Sequence, residues 1–162
     1  MSPEVAASIR LPWTSLLSRE ELVTHVSRYP GLAWHIPGTS HYIVAGPWRN
    51  RPDILEVFET RGERHRLALW TAVLSLPSSP YGAVLVDATE YRVAGRFYEQ
   101  VGVGLLEEVL VLRSSTLPGP TVDLTLEMAP MRSRGARDLM EVDRQAFPWF
   151  WRNSREEFEE YL

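Results

Sequence analysis

Apolar side chains recur with two different periods along this 162-residue chain, and the periods separate predicted helices from predicted strands. Leu22 and Val26 are spaced by one helical turn and follow the run SREE, which begins at Ser18. This run has the pattern of a capping box, in which serine and glutamate side chains satisfy the first amides of a helix. We therefore predict a helix over 18–28. The segment 29–39 contains two prolines and two glycines and predicts an irregular connection.

Short runs of apolar and branched residues predict the strands. HYIVAG (41–46) and DILEVFE (53–59) flank the turn PWRNRP. GAVLVD (82–87) is uniformly apolar, which is typical of an inner strand in a sheet covered on both faces. LLEEVLVLR (105–113) predicts one more strand.

Two further helices lie between these strands. The first, over 64–76, is indicated by a stripe that comprises Leu67, Trp70, Thr71 and Leu74. The second ends at Gly102, and its stripe comprises Val93, Ala94, Phe97, Tyr98 and Val101. From residue 41 the predicted order is strand, strand, helix, strand, helix, strand, which is the alternation of an α/β unit. We predict a mixed sheet flanked by helices, with 82–87 parallel to 54–59.

After the Pro- and Ser-containing run SSTLPGP (114–120), the pattern starts again. TVDLTLEM (121–128) alternates apolar and polar residues and predicts a half-buried strand. A helix follows with Ala136, Leu139, Met140 and Phe147 on one side, and a second SREE run begins at Ser154. We predict one α/β domain over 1–113, a linker over 114–120, and an incomplete second domain over 121–162. The apolar side chains of this tail should pack on the first domain, pack on another chain, or remain exposed as an apolar patch that drives association into a homo-oligomer. These side chains are Val122, Leu124, Phe147, Trp149 and Trp151.

Composition excludes several functions. The chain has no cysteine, so it has no thiolate nucleophile or disulfide, and all of its 17 basic residues are arginine. With a formal net charge of -4 and dispersed arginines, it lacks the basic patch of a nucleic-acid binder. No run approaches the roughly 18 apolar residues of a membrane span, and the expected location is the cytoplasm. The four histidines are dispersed, so we predict no metal site.

Two segments resemble parts of the GNAT superfamily of acyl-CoA-dependent N-acetyltransferases. The run YEQVGV, which begins at Tyr98, is similar to the helix-to-strand corner of that fold, and DLMEVDRQAFPWFWRNSREEFEEYL resembles its opening helices. The resemblance implies a GNAT-like fold in which 1–113 is a degenerate first copy and 121–162 begins a second copy. It also implies acetyl-CoA as a substrate and a small-molecule or peptide amine as the acceptor. The remainder of the second GNAT domain would be a partner of this chain.

The same resemblance suggests site residues. Tyr98 matches the tyrosine that often protonates the departing thiolate, although its place on a core stripe is equally that of a packed side chain. The phosphate cradle of the family, Gln/Arg-x-x-Gly-x-Gly/Ala, falls on TRGERHRL. Arg61 then takes the first position of this motif, and Arg64 and Arg66 take the two positions for small residues. Arginine side chains at those positions would crowd the close approach of the backbone to the phosphates. These arginines either contact phosphates through their side chains or form a solvated helix start.

Three functions therefore remain open from the sequence. The chain is part of an N-acetyltransferase whose active copy is mainly the second one. Alternatively, it is a catalytically silent GNAT-like module with a structural or partner-binding role. The third alternative, which is independent of the resemblance, is a small α/β binding domain for an unrelated metabolite.

Overall fold

The computed structural model describes residues 1–77, 80–86, 91–109 and 135–160. In chain order these residues form α1 (Pro3–Ser8), α2 (Arg19–Arg28), β1 (Ala33–His35), β2 (Tyr42–Pro47), β3 (Ile54–Arg61), α3 (Arg66–Leu74), β4 (Ala83–Val86), α4 (Tyr91–Gln100), α5 (Ala136–Ala146) and α6 (Arg155–Glu160). Short 3₁₀ turns lie at Trp48–Asn50, Glu63–His65 and Trp149–Trp151. The predicted strand 121–128 and the predicted linker lie outside the described residues.

The strands form one mixed sheet in the order β1-β2-β3-β4. β1 and β3 are each antiparallel to β2, whereas β4 is parallel to β3, with Ile54 opposite Ala83 and Val57 opposite Val86. The predicted α/β class, the mixed sheet and the parallel pair are confirmed. β4 was predicted to be an inner strand, but among the described residues it ends the sheet and its side chains are only partly buried.

Helices cover both faces of the sheet. Ile43 and Ala45 of β2 belong to a core cluster with Trp70 of α3 and Tyr98 of α4. The alternate side chains of β2, including Val44, pack in a second cluster with residues of α1 and α2. Because successive side chains of a strand point to opposite faces, α3 and α4 lie on one side and α1 and α2 on the other.

The two helix ends that the sequence signals most clearly form as predicted. Ser18 caps α2: its Oγ accepts from the Glu21 amide at 3.2 Å, and the Glu21 carboxylate accepts from the Ser18 amide at 2.7 Å. Helix α4 is followed by Gly102 with a φ of +78°. The Val103 amide donates to the Tyr98 carbonyl at 2.8 Å and the Gly102 amide donates to the Glu99 carbonyl at 3.1 Å, which is a Schellman motif.

Three predictions about the elements were wrong. β1 lies inside the segment predicted to be irregular, because pairing with β2 overrides the flanking glycines and prolines. Residues 105–109 are exposed and form no strand, and 110–113 lie outside the described residues. Helix α3 buries Leu69, Trp70 and Val73, whereas Leu67 is 61% exposed. Its sequence is apolar on several sides, so spacing alone did not identify the buried face.

Candidate functional site

A cavity of about 400 Å³ lies at the carboxyl ends of the parallel strands β3 and β4. In open α/β sheets, ligands bind at this end of the strands. Glu59, Arg61 and Val86 line the cavity from the strands, Arg66 lines it from α3, and Tyr98 lines it from α4. The cavity therefore brings together three of the four side chains that the sequence singled out.

Glu59 is a buried carboxylate beside this cavity, with 3% of its surface exposed. It follows a β-bulge: Val44 is opposite Glu59 but Ala45 is opposite Val57, which leaves Phe58 as an extra residue in β3. A bulge changes the face to which the following side chain points. Glu59 therefore lies on the side of α1 and α2, where Val44 also packs.

Among the described residues, four groups donate hydrogen bonds to the Glu59 carboxylate. The Tyr42 hydroxyl donates to Oε1, as does the Ser15 hydroxyl at 2.8 Å, and the Leu16 amide donates to Oε2 at 2.8 Å. Arg61 Nε completes the set at 3.4 Å. A buried charge is tolerated when it is paired and hydrogen-bonded in this way. Sequence analysis missed Glu59, because strict alternation would place it on the face of Leu55 and Val57 and the bulge that moves it to the other face is not visible in the sequence.

Burial of Tyr42, together with the hydrogen bond to Glu59, raises the pKa of the Tyr42 hydroxyl to about 12. Its value in an unfolded chain is about 10. The raised pKa contributes stability that is fully present below pH 10 and is lost as the pH rises from about 10 to about 12.

We expect the free energy of unfolding to fall by about 2 kcal/mol across this window. Denaturant titrations at each pH should show that fall in the unmodified chain and in Tyr29→Phe, and a smaller fall in Tyr42→Phe. An equal fall in Tyr42→Phe would contradict the assignment.

Tyr98 is buried among aromatic rings, with 6% of its surface exposed. Its ring meets the Trp70 ring edge-on, with 5.5 Å between centroids. The Arg66 guanidinium lies 5.1 Å from the Tyr98 ring and 4.1 Å from the Phe97 ring. Such cation–π contacts hold Arg66 over the wall of the cavity. Tyr98 thus combines both roles considered from sequence, since it packs in the core and also lines the cavity.

The three arginines of the predicted cradle occupy different environments. Arg61 donates to the Thr14 carbonyl as well as to Glu59, and Arg66 stacks on Phe97 and Tyr98. Arg64 is exposed and does not line the cavity. Glu63, which also lines the cavity, adds a negative charge. With arginine side chains at both positions for small residues, and Arg66 against the cavity wall, these residues do not fit a backbone cradle for a pyrophosphate.

The rim of the cavity between β3 and α3 is formed by a tight loop. Gly62 has a φ of +111°, which residues with a Cβ rarely adopt. A Cβ at this position would overlap the His41 ring. His41 Nδ1 lies 2.6 Å from His65 Nδ1, and this hydrogen bond joins the start of β2 to the loop. The left-handed glycine therefore permits the contact that sets the position of the rim.

A second group of side chains, at the opposite end of β3, holds the tail. We call residues 48–51 the clamp turn. The Trp48 indole donates to the Phe150 carbonyl at 2.5 Å, Arg49 Nη1 donates to the Trp151 carbonyl at 3.0 Å, and Arg51 donates to the Trp149 carbonyl. Three consecutive carbonyls of the tail are thus each satisfied by a different residue of the turn.

The backbone of the clamp turn is strained. Arg49 and Asn50 have φ angles of +50° and +55°, and positive φ is uncommon for residues other than glycine. The Arg49 guanidinium lies 5.1 Å from the centroids of both the Trp48 ring and the Trp151 ring, and these two rings meet edge-on at 5.7 Å. Asn50 Nδ2 donates to Glu157 Oε2 at 3.0 Å. Both residues with positive φ therefore make side-chain hydrogen bonds to the tail.

Hydrogen bonds within the tail join α5 to the residues that precede α6. Asp143 of α5 is buried and accepts from the Asn153 amide at 3.0 Å and from Asn153 Nδ2 at 2.8 Å. Asn153 Oδ1 in turn accepts from Arg49 Nη1 at 2.6 Å. Ser154 then caps α6, accepting from the Glu157 amide at 3.0 Å. The tail thus contacts the clamp turn through hydrogen bonds and the Trp151 ring, whereas Phe147 and Trp149 are 51% and 46% exposed, and Val122 and Leu124 lie outside the described residues.

Within residues 1–77, 80–86, 91–109 and 135–160, no group of three or more metal-ligating side chains is arranged to hold a metal ion. No helix of the described chain is long and apolar enough to cross a membrane. Comparison with known proteins finds no matching family model, curated protein or solved structure.

Proposed function

We propose that the chain is part of a GNAT-type N-acetyltransferase with two copies of the fold. Residues 1–113 are a degenerate first copy, and residues 121–162 begin the second copy. In this proposal acetyl-CoA and a small-molecule or peptide amine are the substrates of the complete protein. The first copy is catalytically silent and positions the second.

The arrangement around β3 supports the fold part of the proposal. A strand, a helix and a parallel strand follow one another, and α4 is closed by the Schellman motif at Gly102, within the run YEQVGV that resembles the superfamily. The cavity lies at the carboxyl ends of the parallel pair, with Tyr98 in its wall. This is the place where a cofactor of an α/β sheet would enter.

The proposed loss of catalysis in the first copy rests on one observation: the predicted site residues Arg61 and Arg66 make contacts within the chain. Arg61 is held by Glu59 and by the Thr14 carbonyl, and Arg66 covers Phe97 and Tyr98. Each loss of a hydrogen bond to a charged phosphate costs roughly 1.5–3 kcal/mol. Loss of two such bonds corresponds to a factor of hundreds or more in affinity.

The contacts of the tail support the positioning role. The clamp turn donates to the three consecutive carbonyls of Trp149–Trp151, and Arg49 contacts the rings of both Trp48 and Trp151. Val142 and Phe147 of the tail are 63% and 51% exposed. Side chains of this size are usually covered, so they are available to the remaining elements of a second copy.

An acetyl-transfer assay tests the proposed function. The 162-residue chain should release no CoA above background from acetyl-CoA, whether it is offered primary amines or peptide amino termini. Tyr98→Phe should leave that result unchanged and should change the free energy of unfolding only slightly, because the packed aromatic ring is kept. Amine-dependent release of CoA that is lost in Tyr98→Phe would show that the first copy is active.

A further inference from the structure

We propose that residues 12–16, which we call the strap, occupy a peptide-binding site made by Glu59 and Arg61 as an intramolecular ligand. The strap is a turn that is closed by the Ser15 amide, which donates to the Pro12 carbonyl at 3.0 Å. This inference goes beyond acetyl transfer and does not depend on it.

The strap contacts the two charged side chains through groups that every peptide main chain offers. The Leu16 amide donates to the Glu59 carboxylate at 2.8 Å, and the Thr14 carbonyl accepts from Arg61. The Ser15 hydroxyl adds a side-chain donor to Glu59 at 2.8 Å. A carboxylate that accepts a peptide N–H and a guanidinium that donates to a peptide carbonyl recognise an amide group.

Polar contacts rather than apolar burial hold the strap in place. Trp13 is 96% exposed and Leu16 is 74% exposed, so the two largest apolar side chains of the strap contribute little burial. The adjoining residues Leu11 and Leu17, by contrast, pack against the cluster of α1 and α2. The strap can therefore lift from Glu59 and Arg61 while both of its ends stay anchored, and a second peptide can replace its hydrogen bonds.

The cavity gives a bound peptide somewhere to place its side chains. Leu16, Glu59 and Arg61 all line the cavity of about 400 Å³, and Val86 and Tyr98 form another part of its wall. A peptide is favoured over an apolar surface because the recognising groups are a buried carboxylate and a guanidinium, which require N–H and C=O partners. The geometry thus points to a peptide, with the strap as its competitor.

Calorimetric titration with the peptide acetyl-Trp-Thr-Ser-Leu-Leu-amide tests the proposal. Ser15→Gly removes the hydroxyl donor and loosens the strap, so it should bind the peptide at least about tenfold more tightly than the unmodified chain, as expected for one hydrogen bond to a charged group. The exposed residue Ser40 supplies the matched control, and Ser40→Gly should bind like the unmodified chain. Adding Arg61→Ala to Ser15→Gly should remove about tenfold of that affinity. The same peptide methylated at the nitrogen that corresponds to Leu16 should bind more weakly.

Absence of binding by Ser15→Gly, or binding that neither Arg61→Ala nor the methylated peptide weakens, would overturn the proposal. Hydrogen exchange on the unmodified chain avoids any dependence on how well a variant folds. Excess peptide should speed exchange of the Leu16 amide, because the strap is displaced from Glu59. Exchange of that amide that is unchanged or slower with peptide would equally overturn it.

Discussion

Replacing Gly62 by alanine is expected to destabilise the protein by about 3 kcal/mol. The residue has a φ of +111°, and a side chain forced into left-handed backbone costs roughly 1–2 kcal/mol. The new Cβ would also overlap the His41 ring, and overpacking adds about 1–3 kcal/mol. For a chain of this length, the melting temperature should fall by about 10 °C.

Gly38→Ala is the matched control for this prediction. Gly38 also has a positive φ, of +74°, but a Cβ there would meet nothing within 4 Å. It should therefore cost only the backbone strain, about 1 kcal/mol. Differential scanning calorimetry of both variants measures the difference. Equal melting temperatures for the two variants would show that His41 does not constrain the loop at the cavity rim.

Replacing Arg49 by alanine is expected to release the tail from the sheet. The change removes two hydrogen bonds, to the Trp151 carbonyl and to Asn153 Oδ1, and the contacts with two indole rings. Together these are worth about 3 kcal/mol. Exchange of amide hydrogens in α5 and α6 should therefore become faster by a factor of about 100, since 1.4 kcal/mol is tenfold. Exchange in α2 should not change.

Arg28→Ala provides the comparison for Arg49→Ala. Arg28 also lies over an aromatic ring, 5.2 Å from the centroid of Tyr29, but it is exposed at the end of α2. Its loss should leave exchange in α5 and α6 at the unmodified rate. If Arg49→Ala also left exchange in α5 and α6 unaltered, the clamp turn would not be what holds the tail.

Local signals in the sequence predicted most of the fold. Ser18 caps the start of α2, and Gly102 closes the end of α4. Both act through contacts within one turn of the chain, so a short sequence pattern is sufficient to identify these helix ends. Strand β1 could not be predicted in this way. Its existence depends on pairing with β2, in which Ala33 lies opposite Val44, and that contact is not visible in the residues around 33.

The candidate site was predictable only in part. Motif positions identified Arg61, Arg66 and Tyr98, which do line one cavity, whereas Arg64 is exposed and does not line it. Position in a motif could not reveal that Arg61 donates hydrogen bonds to the Thr14 carbonyl and to Glu59, because Thr14 is far from Arg61 in the sequence. The clamp turn was likewise missed as a functional element, since its partners lie about a hundred residues further along the chain.

The contacts of Glu59 and Arg66 connect the two proposals. Arg66 lines the cavity and stacks on Phe97 and Tyr98, whereas Glu59 and Arg61, which line the same cavity, hold residues 14–16. Under the two proposals, the first copy does not bind acetyl-CoA but keeps groups that recognise a peptide. The two proposals share Arg61 but otherwise use different side chains, so that mutation of Arg66 and mutation of Glu59 separate them.

Calorimetric titration with acetyl-CoA tests the central claim, an eroded cofactor site in the first copy, most directly. The unmodified chain should show no micromolar binding, and Arg64→Gly/Arg66→Gly should gain affinity because small residues allow the backbone to approach the phosphates. Arg64→Ala/Arg66→Ala separates loss of the arginine side chains from the backbone freedom of glycine. Binding gained in the glycine variant alone would support the account. Micromolar binding of acetyl-CoA by the unmodified chain would contradict it, and would assign the arginines to the cofactor and Tyr98 to the role of acid.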